Sequence, residues 1–206
     1  MPEDYLRLSA LASLGLAARS VADRAPEQGI ALRELPLPGL LSLRFSPTDK
    51  AVAQAASNTL NLKLPEMGGV SLNGSVALYR LGPDEWWIKT NGPAMALEEK
   101  LRAAFGGGHT AVIEIGEGWT QIEASGPQAR ALLAKGCPLD FHPRAFRAGE
   151  VRQSLLSKAD AVYRLVSDEQ SEAELVFEIT VRRSFADYAW RWLADAAAEY
   201  GLAVLD

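Results

Sequence analysis

Residues 77–85 of the chain read Ala-Leu-Tyr-Arg-Leu-Gly-Pro-Asp-Glu, and residues 161–169 read Ala-Val-Tyr-Arg-Leu-Val-Ser-Asp-Glu. The two stretches match at seven of nine positions by identity or close similarity. Both end a predicted strand in a turn, and both follow a predicted helix that a proline introduces, at Pro47 and at Pro127. A repeat in matching context indicates two related supersecondary units in one chain.

The elements around the first copy follow a recognisable order. Alternating and helical periodicities predict, in sequence, strand Leu40–Phe45, a helix from about Thr48 to Leu60, strands Val76–Leu81 and Glu85–Thr90, helix Ala94–Phe105 and strand Ala111–Ile115. This βαββαβ order is that of the ferredoxin-like split motif.

A second series of elements surrounds the other copy. It consists of strand Trp119–Ala124, helix Gln128–Lys135, strands near Arg152–Ser157, Ala161–Val166 and Leu175–Val181, and helix Phe185–Tyr200. The sequence therefore predicts an α+β fold of two pseudo-repeated ferredoxin-like halves, at about residues 40–115 and 116–206, within a single compact domain over residues 29–206.

The last helix predicts a core face and an edge. Apolar side chains recur on one stripe at helical spacing, at Phe185, Tyr188, Ala189, Trp192, Ala196 and Tyr200. Trp190 falls at the margin of this stripe, where a tryptophan suits either an interface anchor or a core position.

Residues 1–28 are predicted to be an N-terminal arm and linker. The stretch Tyr5–Leu16 is helix-prone, but its leucines fall all round the helix, so some of them need a surface to cover them. We expect a partner interface there, with Trp190 as a weaker second candidate; the candidate leucines are Leu8, Leu11, Leu14 and Leu16. The alternative is that the arm folds back over the chain's own sheet.

Composition excludes several classes of function. The net charge of -5, with no basic cluster, disfavours nucleic-acid binding. The apolar run Leu8–Ala18 lacks a basic flank and is too short to span a membrane, so no membrane association is expected. With Cys137 as the single cysteine, no internal disulfide can form, and a cytoplasmic location is expected.

Candidate catalytic groups are few. The two histidines are His109 and His142, and a zinc site built on Cys137 and His142 would lack further ligands. The sequence Gly116-Glu117-Gly118 precedes a predicted strand, whereas a dinucleotide fingerprint precedes a helix. No catalytic, cofactor-binding or metal-binding residue is therefore predicted.

Charged side chains are interpreted mainly as solvated. Glu99 and Arg102 have the i,i+3 spacing of a solvated helix face. If they lie close together, five arginines could bind an anion or a partner's carboxylate: Arg144, Arg147, Arg152, Arg182 and Arg183.

The segments that carry a family resemblance lie mainly in the second half. They are residues 126–140 (Gly-Pro-Gln-Ala-Arg-Ala-Leu-Leu-Ala-Lys-Gly-Cys-Pro-Leu-Asp), Phe146, Gly149, Gln153, residues 181–188 (Val-Arg-Arg-Ser-Phe-Ala-Asp-Tyr) and Trp192-Leu193. Together they resemble the gamma subunits of heterotetrameric sarcosine oxidases. The resemblance covers residues 110–200 well and the earlier part more loosely.

The resemblance implies a non-catalytic accessory subunit with alpha, beta and delta partners. Enzymes of this family demethylate sarcosine oxidatively to glycine, form hydrogen peroxide and pass the one-carbon unit to tetrahydrofolate. Their NAD and folate domain belong to alpha, their FAD and FMN to beta and their zinc to delta, so none is expected in this chain.

Two other functions stay open. The fold implied by the resemblance is similar to the folate-binding module of aminomethyltransferases, so a stand-alone folate-dependent one-carbon enzyme or folate-binding module is the alternative. No Lys-x-Cys-x-x-Gly-Gln segment and no folate-holding carboxylate can be identified in the sequence. The other is a free-standing binding module unrelated to sarcosine.

Overall fold

A computed structural model of the chain describes residues 8–36, 39–167 and 174–206. The elements follow in the order β1 (Ile30–Leu35), β2 (Gly39–Phe45), α1 (Lys50–Leu60), β3 (Val70–Asn73), β4 (Val76–Arg80), β5 (Glu85–Thr90), α2 (Ala94–Phe105), β6 (Thr110–Glu114), β7 (Trp119–Ser125), α3 (Ala129–Ala134), β8 (Val151–Leu156), β9 (Ala159–Ser167), β10 (Val176–Arg182), α4 (Ala186–Ala197) and β11 (Leu202–Val204).

The chain divides into two compact units, each with its own sheet. The six-stranded unit takes in the chain up to residue 37 together with residues 117–148 and 153–206. The five-stranded unit takes in residues 38–116 and 149–152.

The five-stranded unit has the predicted ferredoxin-like arrangement. Its strands lie in the order β3-β4-β5-β2-β6, and all neighbouring pairs are antiparallel. Without the short β3, this is the strand order of the split βαββαβ motif. α1 and α2 cover one face, where Phe45 stacks on Trp86 with ring centroids 4.2 Å apart.

Side-chain capping explains where α1 begins. The Asp49 carboxylate accepts hydrogen bonds from the backbone N–H groups of Ala51 and Val52, each 3.1 Å long. These groups have no partner within the helix, and capping them stabilises a helix by about 0.5–2 kcal/mol. Asn61 ends the helix in the left-handed conformation, with φ of 50°.

The six-stranded unit repeats the same arrangement and adds one strand. Its order is β11-β1-β7-β10-β9-β8, in which the run β1-β7-β10-β9-β8 corresponds position by position to β6-β2-β5-β4-β3. The two segments that match in sequence therefore include equivalent strands, β4 and β9. Residues 168 and 169 of the second copy lie outside the described residues. This correspondence confirms the predicted α+β fold of two pseudo-repeats.

The make-up of the second repeat differs from the predicted half at residues 116–206. The position that β6 has in the first repeat is filled by β1, which comes from the N-terminal side of the chain. β1 pairs antiparallel with β7 and parallel with β11, so it is inserted between β7 and the strand that follows α4. Periodicity identifies a strand but not its partner, and for this reason the sequence did not place β1.

The core face of α4 is also shifted from the predicted stripe. The buried residues are Ala186, Ala189, Trp190, Leu193 and Ala197, whereas Phe185 is 43% exposed. Aromatic residues occur on two neighbouring stripes of this helix, so the pattern alone did not fix which stripe packs inward. The prediction that put Phe185 in the core was wrong.

Gly136 accounts for the position of the neighbouring tryptophan. A Cβ atom at this glycine would lie only 2.3 Å from Cη2 of Trp192, so the indole packs directly against the glycine backbone.

The core beneath α3 and α4 includes an aromatic cluster: Phe141, Phe146, Tyr163 and Phe177, with neighbouring ring centroids 5.6–5.8 Å apart.

Candidate functional site

A row of four charged side chains crosses the six-stranded sheet on the face opposite α3 and α4. The strand register places Arg33 opposite Glu123, Glu123 opposite Glu178, and Glu178 opposite Arg164. Arg33 is hydrogen-bonded to Glu123 at 2.6 Å, and Arg164 to Glu178 at 3.1 Å. The row is neutral as a whole, and each arginine compensates the carboxylate on the adjacent strand.

The two ion pairs of this row differ in exposure. Side-chain exposure is 13% for Arg164 and 12% for Glu178, against 39% for Arg33 and 14% for Glu123. Two carboxylates directly opposite each other repel. The arginines at the two ends are therefore needed for Glu123 and Glu178 to lie side by side.

The same face continues with polar and aromatic residues towards one end of the sheet. Gln121 donates from Nε2 to Oγ1 of Thr180 at 3.0 Å, and both residues are buried. Oε1 of Gln121 has no hydrogen-bond donor among the described residues. Next to this pair, the Arg182 guanidinium lies 4.1 Å from the ring centroid of Trp119. These contacts link β7 and β10 and leave one buried amide oxygen able to accept a hydrogen bond.

Cys137 and His142, the pair considered for zinc, are not joined by further ligands among the described residues. Cys137 is buried, while His142 is exposed and accepts a hydrogen bond at Nδ1 from the backbone N–H of Arg144, at 3.2 Å. Within the part of the chain that the structure describes, no group of three or more His, Cys, Asp or Glu residues could hold a metal ion.

The hydroxyl of Tyr163 lies in the same core as Cys137. It donates to the carbonyl oxygen of Leu155 at 2.9 Å. Burial raises the pKa of Tyr163 far above its ordinary value, and Cys137 shifts it in the same direction. A tyrosine held neutral in this way serves as a structural hydrogen-bond donor.

The five arginines considered for anion binding do not form one cluster. Arg152 pairs with Glu150 and donates to the carbonyl of Gly68, and Arg183 donates to the carbonyl of Leu8. Arg182 stacks on Trp119, while Arg144 and Arg147 are exposed in the loop before β8. On α2, Glu99 and Arg102 are both exposed, as expected for a solvated helix face, and Arg102 pairs with Glu98 at i,i+4.

The described part of the N-terminal arm, residues 8–28, folds back onto its own six-stranded unit. In place of the predicted helix it forms two 3₁₀ turns, at Ala12–Leu14 and Leu16–Arg19. Arg24 forms an ion pair with Glu174 at 2.8 Å, and Gln28 donates to the carbonyl of Leu202 at 2.9 Å. The linker residues are thus held by specific contacts.

The five predicted interface residues have different surroundings. Leu11 and Trp190 are each only 1% exposed and belong to the core of the six-stranded unit, so they form no surface that a partner could contact. For these two side chains the interface prediction is corrected. Leu14 and Leu16 are partly buried against the same core, and Leu8 is 65% exposed. A partner contact at Leu8 stays a prediction.

Substitution of Leu11 by alanine tests this placement. We expect the free energy of unfolding to fall by about 2 kcal/mol, because the substitution truncates a buried leucine. The loss is at the low end for such a change, because the arm that carries Leu11 can partly relax into the cavity. Leu8→Ala is the matched control, with an expected change within about 0.5 kcal/mol because the side chain is exposed. Equal effects of the two substitutions in urea unfolding would show that Leu11 is not part of the core.

One feature of the sequence, the alternation of polar residues in two strands, could have revealed part of the charged row. β7 and β10 carry polar residues at every second position, at Gln121 and Glu123 and at Glu178 and Thr180. This alternation predicts a polar sheet face. The pairing of the strands, which places the two glutamates side by side, has no signal in the local sequence.

Similarity to known proteins agrees with this architecture. The fold is that of an α+β protein built of two ferredoxin-like repeats: it is similar to the glycine cleavage system aminomethyltransferase T of Bartonella henselae, with a TM-score of 0.66 at 17% identity, covering 97% of this chain and 59% of that one. At this identity the likeness concerns the fold alone.

The sequence comparison is more specific. The sarcosine oxidase, gamma subunit family (SoxG) matches residues 44–199. The sarcosine oxidase subunit gamma of Corynebacterium sp. (strain U-96) is 32% identical, covering 96% of this chain and 93% of that protein, and the one from Arthrobacter sp. is 31% identical, covering 89% and 87%. The chain belongs to the sarcosine oxidase gamma subunit family.

A solved structure supports the same assignment. A chain of the heterotetrameric sarcosine oxidase from Corynebacterium sp. U-96, solved in complex with pyrrole 2-carboxylate, aligns with a TM-score of 0.84 at 28% identity. The alignment covers 98% of this chain and 100% of that chain.

None of the helices in the described residues is long and apolar enough to cross a membrane.

Proposed function

We propose that the chain is the non-catalytic gamma subunit of a heterotetrameric sarcosine oxidase, assembled with alpha, beta and delta subunits. The observation that carries this proposal is the extent of the match. A chain of the Corynebacterium oxidase structure is covered over its whole length, with a TM-score of 0.84. A subunit that retains the complete fold of its relative retains the scaffold on which a shared assembly depends.

In this proposal the chemistry belongs to the other subunits. The complex demethylates sarcosine to glycine with formation of hydrogen peroxide, and the one-carbon unit passes to tetrahydrofolate. FAD, FMN, NAD and zinc are held by the alpha, beta and delta subunits, and this chain contributes none of them. The neutral charged row supports this role, because its two carboxylates are engaged by Arg33 and Arg164. The proposal includes a cytoplasmic location for the complex.

Co-expression tests the assembly directly. The chain is expressed together with candidate alpha, beta and delta subunits from the same organism, with an affinity tag on alpha, and sarcosine-dependent formation of hydrogen peroxide is measured on the purified material. We expect all four chains to co-purify in equal amounts. The same expression without this chain is the control, and we expect a smaller or less active complex. A complete, fully active complex without it would refute the accessory role.

The isolated chain provides the second test. We expect no flavin absorbance after purification and no sarcosine oxidation. A yellow preparation with stoichiometric flavin would contradict the assignment of the cofactors to other subunits.

A folate-binding module is the second candidate function, and one observation favours it. Oε1 of the buried Gln121 has no donor among the described residues, on the face of a sheet whose fold is shared with an aminomethyltransferase. Calorimetric titration of the isolated chain with tetrahydrofolate separates the two functions. We expect no heat of binding for the accessory subunit. Specific binding that Gln121→Leu abolishes would favour the module.

A further inference from the structure

β6 forms one edge of the five-stranded sheet, next to β2. β6 reads Thr-Ala-Val-Ile-Glu, and Ile113 is 52% exposed on the outer face. Three of its five residues are β-branched and one carries a charge, at the end of the strand. An uncovered edge of this composition is a template for pairing with another strand.

The main-chain groups that point away from the sheet can be identified from the pairing. β6 pairs antiparallel with β2, and just beyond its end the N–H of Ile115 donates to the carbonyl of Leu40 at 2.8 Å. Odd-numbered residues therefore face β2, and Val112 and Glu114 direct their N–H and C=O groups outward. An added antiparallel strand would have to bond to these outward groups.

Two side chains of α2 form hydrogen bonds with the outward-facing main-chain groups of Val112 and Glu114. Oε2 of Glu98 accepts a hydrogen bond from the backbone N–H of Glu114 at 3.0 Å, and the Arg102 guanidinium donates to the carbonyl oxygen of Val112. The two side chains also pair with each other, with Nε of Arg102 2.9 Å from Oε1 of Glu98. The acceptor faces the N–H and the donor faces the C=O, so the polarity of the pair matches the strand edge.

We propose that the Glu98–Arg102 pair is an edge guard, which keeps β6 from pairing with the β6 edge of a second copy of the chain. The β6 edge of a second copy is the expected pairing partner, because the two edges are identical. An antiparallel pair of them is related by a two-fold axis and forms a closed dimer. The guard is independent of the function proposed above. It gives the chain a way to remain separate before any partner is bound.

Two variants of the full chain test the guard. Glu98→Ala/Arg102→Ala removes both caps. Glu98→Arg/Arg102→Glu retains an ion pair and the same net charge, but places a donor against the N–H and an acceptor against the C=O. Light scattering after size exclusion is expected to show the molar mass of both variants rising by about twofold over that of the parent chain, as for a closed dimer.

The control is an i,i+4 ion pair of similar geometry on another helix. Nε of Arg191 lies 2.9 Å from Oδ2 of Asp187 on α4, where no strand edge is capped by this pair. Asp187→Ala/Arg191→Ala is therefore expected to leave the molar mass at the parent value. Adding Ile113→Lys to the double alanine variant is expected to return it to the parent mass, because a lysine on an edge strand opposes pairing.

The charge-reversed variant decides the outcome even if the alanine variant folds poorly. If it keeps the parent molar mass while its far-ultraviolet circular dichroism is native, the guard is refuted. Self-association that Ile113→Lys does not reverse, or that the α4 control shares, would likewise place the contact elsewhere and refute the proposal.

Discussion

Substitution of Trp190 by alanine is expected to lower the free energy of unfolding by about 3–5 kcal/mol, the range measured for buried large aromatic side chains. The indole is 1% exposed and packs in the core of the six-stranded unit, together with Leu193 on the same face of α4. Its truncation removes apolar contacts and leaves a cavity that the surrounding helices and sheet can fill only in part.

Phe185→Ala is the matched control for this prediction. Phe185 lies next to the start of the same helix but is 43% exposed, so we expect a loss of about 1 kcal/mol or less. Guanidinium-induced unfolding of both variants, followed by circular dichroism, measures the difference. A Trp190→Ala variant with the stability of the parent chain would contradict the core position and restore the interface interpretation of this tryptophan.

Removal of one partner from the more buried ion pair is expected to have an effect of similar size. Arg164→Met leaves Glu178 without its arginine and directly opposite Glu123, at a site where the carboxylate side chain is 12% exposed. Loss of one partner of a buried ion pair costs about 3–5 kcal/mol, because the remaining charge loses the opposite charge that stabilised it. Repulsion between the two facing glutamates acts in the same direction.

A double substitution distinguishes the charge from the packing. Arg164→Met/Glu178→Leu removes both charges and retains apolar volume, so it is expected to recover most of the stability lost in Arg164→Met. Arg44→Met, which breaks a pair whose side chains are about half exposed, is the surface control and is expected to change little. If the double variant is as unstable as the single one, the stability came from packing and not from charge compensation.

Much of the secondary structure could be predicted because it depends on local periodicity. The helix signals near Thr48 and at Ala94 lie within two residues of the observed starts of α1 and α2. The caps are local as well, since Asp49 and Asn61 act within one turn of the helix that they bound. The match between residues 77–85 and 161–169 indicated the duplication, because equivalent strands face equivalent neighbours.

The phase of α4 shows where local information ends. Positions 190 and 192 both carry a tryptophan, and either side chain could have faced the core. The choice depends on Gly136, in a segment more than fifty residues earlier, whose missing Cβ makes room for the ring of Trp192. No pattern within the helix carries that information.

The duplicated α+β fold could be predicted from the sequence, because strand and helix periods and a repeated segment are local properties of the chain. The family resemblance rested in the same way on segments that can be read directly, above all residues 181–188. The position of β1 in the second repeat and the burial of the Leu11 side chain became visible in the three-dimensional structure. The tertiary structure also brought Glu123 beside Glu178 and Glu98 against the edge of β6. The reason is physical: register and packing are set by non-local contacts, which a linear pattern does not encode.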